Sequence, residues 1–292
     1  MNETTTCPVC GESACRERYP DELVGRFPTV DYNFSPETRL TYQILDCLTC
    51  NHQFAVPPID IKGLYSETHD EVYLSSKSQR QRSASDWLSI VREYAPNAKS
   101  LIDIGCSVGI FLDSASEYFD VHGVELSTWA AEIAAKRHSV SLSPLSSSPP
   151  KQRFDIATMW GVIEHLEDPK REVNAIQNAL SEGGVFFVYT GNRRAILPRL
   201  LGKKWWWYQG MHIQYFSKVS LGQLLTETGF EVIATRNLPI YFSLASLAQS
   251  LKRYRSAAPI VRLLQTNLLA SRLIRITLSG EMLMVARLKA TE

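Results

Sequence analysis

Residues 100–127 read SLIDIGCSVGIFLDSASEYFDVHGVELS, and the five residues Gly105-Cys106-Ser107-Val108-Gly109 inside this stretch fit two different chemistries. G-x-S-x-G is the nucleophile elbow of α/β hydrolases, a sharp turn that exposes a serine between a strand and a helix. A glycine turn in the same setting can also bring the backbone against a nucleotide-like cofactor at a helix start. Local context does not separate the two, because both need Ser100–Ile104 as a strand and the residues after Gly109 as a helix.

Chain order decides between them. A hydrolase elbow follows several strands and a loop that supplies the other oxyanion donor. Here the upstream hundred residues hold two C-x-x-C pairs and one helical stretch, Gln81 to Tyr94, so the hydrolase's first half has no room. A cofactor loop instead needs an acidic residue at the tip of the next strand, about 20 residues on, to meet ribose hydroxyls. Glu125 stands 20 positions after Gly105. Gly105 and Gly109 allow close backbone approach, and Asp103 ends the first strand, where it can organise the turn.

From residue 80 to 235 helix-like and strand-like stretches alternate, the pattern of a parallel sheet covered by helices. Strands are expected at Ser100–Ile104, Asp120–Glu125, Val140–Leu142, Phe154–Met159, Gly184–Thr190 and 230–235, with Ser127 capping the helix that follows the second. Helices are expected from Pro169 to Leu180 and at 218–228. Residues 240–278 read as a mostly helical, basic insertion, and Glu281–Arg287 as a final strand.

Asp103-x-Gly105-x-Ser107-x-Gly109, with Glu125 after the second strand and Phe154-Asp155 opening the fourth, resembles the class I S-adenosylmethionine-dependent methyltransferases. Met159-Trp-Gly-Val-Ile-Glu-His165-Leu-Glu-Asp-Pro169 and the Gly229-Phe230 pair continue the likeness over about 81–290. The resemblance implies an α/β fold: a Rossmann-like seven-stranded sheet with helices on both faces. It also implies that Asp103, Gly105, Cys106, Ser107 and Gly109 line the cofactor, that Glu125 and Leu126 hold the ribose side, and that Trp160 lies near the sulfonium. The acidic residue such proteins often place after the third strand is missing from Ser141 to Lys151, leaving backbone groups or Leu145 to meet the adenine.

Methyl transfer needs an aligned acceptor and, for a hydroxyl or carbon acid, a base. Of six histidines, His165 and His212 fall on loops expected at the carboxyl ends of the strands. His212-Ile-Gln-Tyr215-Phe-Ser217 is similar to the His-x-x-Tyr-Phe-Ser segment of sugar C-methyltransferases, which makes His212 the candidate base and Tyr215 its assistant. Glu164-His165 raises a metal question, but Gly161 stands where metal-dependent relatives carry a further Glu, so an active-site metal is not expected. The three consecutive tryptophans Trp205, Trp206 and Trp207 cannot all face inward on a regular element, so an aromatic lid or a peripheral membrane contact is expected there.

Cys7-x-x-Cys10 and Cys47-x-x-Cys50, 36 residues apart, form the pair-plus-pair pattern of a structural zinc site. Gly11 and Asn51, each after a second Cys, suit the left-handed turn that points N–H groups at sulfur. The expected organisation is a zinc-ribbon-like module over 1–60, a linker and helix over 61–98, and the cofactor-binding domain over 99–292.

A formal net charge of +1 supplies no overall pull toward nucleic acid. Neither a secretory leader nor an uninterrupted apolar run of about eighteen residues is visible, so the expected setting is cytoplasmic. The expected activity is methylation of a small molecule, such as a nucleotide sugar or surface-glycan precursor. The alternatives are an RNA-binding or modifying zinc-ribbon protein and a membrane-associated lipid or quinone methyltransferase, the latter using the indole run or the basic helix around Ala258–Arg275.

Overall fold

The turn after Ile104 fixes the orientation of everything around it. Gly105 has φ +75°, and a Cβ there would lie 2.3 Å from Val162 Cγ2. Only glycine fits this bend.

The computed structural model describes residues 5–28, 37–57, 76–244, 272–277 and 279–290, together with Gly63, His69 and Leu74. The N-terminal part forms strands β1 (Cys15–Tyr19), β2 (Gln43–Cys47) and β3 (Gln53–Val56). Helix α1 (Lys77–Tyr94) leads to β4 (Ser100–Ile104), α2 (Ile110–Ala115), β5 (Asp120–Val124), α3 (Thr128–Ala135) and β6 (Ser139–Ser141). Then come β7 (Phe154–Trp160), α4 (Pro169–Ala179), β8 (Leu180–Gly191), α5 (Ile196–Leu201), β9 (Gln214–Tyr215) and α6 (Lys218–Glu227). Strands β10 (Phe230–Arg236), β11 (Pro239–Ser243), β12 (Leu273–Thr277) and β13 (Glu281–Leu288) close the described chain.

Seven strands form one sheet in the order β10-β13-β8-β7-β4-β5-β6, with β13 antiparallel to both its neighbours. The expected mixed α/β architecture is therefore present. Local chemistry explains the helix starts. Ser127 Oγ accepts the Ala130 N–H at 3.2 Å, and Asp168 accepts the Arg171 N–H at 2.9 Å ahead of Pro169 at the first helical position. Ser217 and Ser220 form a reciprocal cap at α6. Away from the ligand edge, Asp155 accepts the backbone N–H groups of Lys99 and Ser100 and so ties the starts of β4 and β7.

Two expectations change. The stretch 240–278 is not helical at its ends: β11 and β12 pair antiparallel from Pro239↔Thr277 to Ser243↔Leu273. Strand β11 sits against α1, with Ile240 packed on its apolar cluster and Trp87 Nε1 donating to the Pro239 carbonyl at 3.0 Å. The rest of the expected helix, including Ala258–Ser271, lies outside the described residues. Nor are the three tryptophans an exposed lid: Trp205 is 1% and Trp207 9% exposed, and Trp206 is half-buried. They occupy an irregular stretch after a short 3-10 turn, so strand and helix alternation do not apply, and the N-terminal sheet covers them. Trp205 and Trp207 therefore have no exposed surface for a membrane contact, and only Trp206 keeps part of its ring exposed. Among the described residues no helix is long and apolar enough to cross a membrane.

The N-terminal strands do not stand apart. Strand β9 joins them in a four-stranded sheet of order β1-β2-β3-β9, through Gln53↔Tyr215 and Phe54↔Gln214.

Candidate active site

The Gly105–Gly109 loop lies at the carboxyl end of β4, beside the ends of β5 and β7, where open α/β sheets bind ligands. Glu125 clamps it. One carboxylate oxygen accepts the Ser107 N–H at 2.8 Å and the other the Ser127 N–H at 2.8 Å. Burial raises the Glu125 pKa, while the hydrogen bonds from Ser127, Ser107 and Leu126 oppose that shift. Each oxygen keeps a lone pair for a further donor, so the structural role leaves room for the expected ribose contact. Ser107 itself adopts φ +49° and donates its backbone N–H to Glu125.

Asp103 is 1% exposed and accepts the Thr158 hydroxyl at 2.7 Å. Burial pushes its pKa up to about 8, the Thr158 hydrogen bond works against this, and the nearby Glu125 charge adds to it. Cys106 turns into the core, where its sulfur occupies the space a Cβ on Gly123 would need, so only its backbone faces the loop. Leu126, half-buried, follows Glu125 at the strand tip. Trp160 ends β7, stacked on Trp87 at 4.8 Å and tilted against Phe111 at 5.0 Å. Its indole Nε1 is buried with no partner among the described residues. Leu145 is buried, and its N–H donates to Glu172 at 2.9 Å, which pins the loop after β6.

On the other side of the edge, His165 and His212 meet with ring centroids 4.7 Å apart. His165 Nδ1 donates to the Met211 carbonyl at 2.9 Å, and His212 Nδ1 to the Trp207 carbonyl at 2.8 Å. Burial lowers both pKa values, that of His165 to about 4 and that of His212 well below the usual imidazole range. Both rings are neutral at pH 7, with Nδ1 as the protonated nitrogen. Glu164, the Glu of Glu164-His165, is also brought in. It is 1% exposed, accepts the Thr190 hydroxyl at 2.9 Å, and is raised by burial to about 8. One ligand atom from each of Glu164, His165 and His212 lies within 4.8 Å of the others, a set able to share a proton or a cation.

Tyr215 is fully buried in β9 and donates its hydroxyl to the His212 carbonyl at 2.6 Å, so it supports the backbone of the candidate base.

A second acid, Glu281, was not anticipated. Tyr189 donates to one of its oxygens and Trp206 Nε1 to the other at 3.3 Å, and burial raises its pKa to about 7. A Glu opening the otherwise apolar run Met282–Ala286 was the available signal.

The Sγ atoms of Cys7, Cys10, Cys47 and Cys50 lie within 4.8 Å of one another, Cys7 to Cys50 at 3.5 Å and Cys10 to Cys47 at 3.6 Å. Tetrahedral zinc with Zn–S bonds of about 2.3 Å sets sulfurs roughly 3.8 Å apart, so the four thiols fit that ion. Gly11 (φ +78°) and Asn51 (φ +56°) take the left-handed conformation, and Cys50 N–H points at Cys47 Sγ at 3.5 Å. All six cysteines are free thiols, and Cys15 and His52 stand outside the set.

Comparison with known proteins agrees with this geometry. A family model described as "Methyltransferase domain" matches residues 76–235, more than half of the chain, and the chain belongs to that family. It is 33% identical over 108 residues to the mitochondrial ubiquinone biosynthesis O-methyltransferase of Candida albicans, covering 32% of this chain and 33% of that protein. It is 34% identical over 117 residues to a dTDP-3-amino-3,6-dideoxy-alpha-D-glucopyranose N,N-dimethyltransferase of Streptomyces fradiae, covering 38% and 46%. The chain thus spans under half the length of these relatives. A SAM-dependent methyltransferase from Archaeoglobus fulgidus shares the fold, with TM-score 0.52 and 16% identity over 75% of this chain and all of that one (100%).

Proposed function

We propose that this chain methylates a small nucleotide-sugar-type acceptor from S-adenosylmethionine, with His212 as the proton acceptor and a structural zinc on Cys7, Cys10, Cys47 and Cys50. The observation that carries the reading is the placement of the clamped Gly105–Gly109 loop and the buried His165–His212 pair on one edge of the sheet. The cofactor, when bound, supplies an electrophilic methyl on a sulfonium; the chain's own groups bind, orient and deprotonate. Asp103 and Glu125 offer two carboxyls to a cationic, ribose-bearing ligand. Trp160 offers a ring face to a sulfonium.

Because each imidazole commits Nδ1–H to a carbonyl, Nε2 carries the lone pair, the form a hydrogen-bonded acceptor N–H or O–H needs. Gln209 lies 3.0 Å from His212 Nε2 and donates to it. An acceptor would take the place of that donor. The names of the relatives divide between amino-sugar N-methylation and quinone O-methylation. The His212–Ser217 segment, similar to that of sugar C-methyltransferases, favours the sugar.

Incubation with methyl-labelled S-adenosylmethionine and a panel of nucleotide sugars, amino sugars among them, quinone precursors and RNA tests the reading. Label on a nucleotide sugar, lost in His212→Ala while S-adenosylhomocysteine still binds, is the expected result. Label on RNA or a quinone alone overturns it.

A further inference from the structure

The segment that carries His212 is held from two sides. Toward the sheet, Ile213 N–H donates to the Glu164 carbonyl at 2.8 Å and His165 reaches the Met211 carbonyl. Toward the N-terminal module, Ala55 N–H donates to the Ile213 carbonyl at 2.8 Å, and β3 pairs with β9. Leu23, Tyr42, Ile44 and Ala55 of the module pack against Trp205, Trp207, Tyr208, Ile213 and Tyr215. Lys203, bonded to Glu22 at 2.9 Å, lies 5.1 Å from the centre of the Tyr19 ring.

His52 links the cysteine cluster to this segment. Its carbonyl accepts the Cys47 N–H at 2.8 Å, which fixes it to the knuckle. Its ring is 0% exposed, donates from Nε2 to Gln214 Oε1 at 2.8 Å, and packs on Phe216 at 4.6 Å. Cys7, Cys47 and Cys50 share one apolar cluster with Phe216, Leu221 and Leu224. The module therefore has no separate core: its inner side is the floor under the His212 segment. The cofactor loop is fastened differently, to Glu125 and to the Val124 carbonyl, and Asp103 beneath it to Thr158, all on the seven-stranded sheet.

We infer that the cysteine module is part of the acceptor half of the site: the four-sulfur cluster and His52 are positioning elements that hold His212 in place, while the cofactor loop stands without them. The term acceptor half rests on the methyltransferase reading; the mechanical link does not. Four thiolates on one zinc would fix the Cys47–Cys50 knuckle, hence β2 and β3, hence β9. Loss of the metal frees the knuckle, and the Gly202–Ser217 segment loses one of its two supports.

The test compares the full metal-loaded chain with the same chain stripped by a mercurial and a chelator, and with His52→Ala and His52→Gln. Amide hydrogen exchange is read over 202–216 and over 100–127, together with the S-adenosylhomocysteine-induced thermal shift and the nitrogen NMR signature of the His212 ring tautomer. Stripping and His52→Ala are expected to speed exchange over 202–216 at least tenfold. They should scramble the Nδ1–H tautomer, with 100–127 and the S-adenosylhomocysteine shift unchanged. His52→Gln, whose amide can donate to Gln214, should restore both signatures.

Unchanged exchange over 202–216 after stripping and in His52→Ala overturns the inference. So does simultaneous loss of protection over 100–127, which would make the two halves one unit. A chain purified without metal, in which His52→Ala leaves 202–216 protected, overturns it as well. Failure of the intact chain to respond to S-adenosylhomocysteine removes the methyltransferase reading instead and leaves the exchange result to stand on its own.

Discussion

The Tyr215 hydroxyl donates to the His212 carbonyl at 2.6 Å, across a tyrosine that is fully buried. A residue three positions from the candidate base thus acts on that base's backbone. Removing the hydroxyl leaves the His212 carbonyl with one fewer donor in a site water does not reach, and such a loss costs about 1 kcal/mol or somewhat more. Tyr215→Phe should lower stability by about that amount and keep S-adenosylhomocysteine binding, as measured by denaturant unfolding and calorimetry. If Tyr215 were a catalytic acid or base instead, Tyr215→Phe would abolish turnover with stability unchanged.

The cofactor half was legible because its signals are local. Glycines at a bend, an acid at a strand tip and a serine cap each act within a few residues: Gly105 takes the bend, Glu125 stands at the strand tip against the loop, and Ser127 caps the helix after it. The acceptor half was not, because its meaning depends on what covers it. Trp205 and Trp207 are exposed or buried according to whether a second sheet lies over them, and that sheet is formed by residues more than 140 positions earlier pairing with β9. The burial of Tyr215 depends on the same covering sheet. Glu281 reaches Tyr189 only through the antiparallel pairing of β13 with β8, a contact that no spacing within either segment encodes.

The Glu125 clamp has a measurable consequence. Glu125→Ala removes acceptors for two backbone N–H groups as well as the ribose contact proposed for the same side chain. Hydrogen bonds to a charged group contribute about 1.5–3 kcal/mol, so S-adenosylhomocysteine affinity should fall by roughly 10- to 100-fold in a titration. Ser107→Ala keeps the backbone N–H and should bind within about threefold of the parent chain, since a change under 1 kcal/mol is expected of it. A Ser107→Ala chain as defective as Glu125→Ala would return the serine to the centre of the site.

Gly105→Ala is predicted to be worse than either. Its Cβ would lie 2.3 Å from Val162 Cγ2, on a backbone at φ +75°, so both strain and overlap oppose it. The expected outcome is a stability loss of about 2–4 kcal/mol by unfolding. Partial rescue in Gly105→Ala/Val162→Ala, which relieves the overlap and leaves the strain, would apportion the two.

Asp103 gives the chain a pH signature with a definite sign. Its folded pKa is about 8, above the unfolded carboxyl value near 4, so between those limits the folded chain keeps a proton that the unfolded chain has lost. That contribution is fully present below pH 4 and is lost as pH rises toward 8. Asp103→Asn mimics the protonated acid and still accepts the Thr158 hydroxyl, so it escapes the loss. Relative to the parent chain it should therefore gain stability as pH rises from 5 to 8, by up to about 1.4 kcal/mol per pH unit. The comparison is made as a difference because Glu164 and Glu281, both raised by burial, titrate over part of the same range in both chains. Binding a cationic ligand should expel the Asp103 proton. S-adenosylmethionine affinity of the parent chain should then climb with pH up to about 8 and level off, with proton release visible as a buffer-dependent calorimetric enthalpy. Asp103→Asn should bind more weakly and show neither the climb nor the proton release; a parent profile flat from pH 6 to 8 would mean that Asp103 is already ionised beneath the loop.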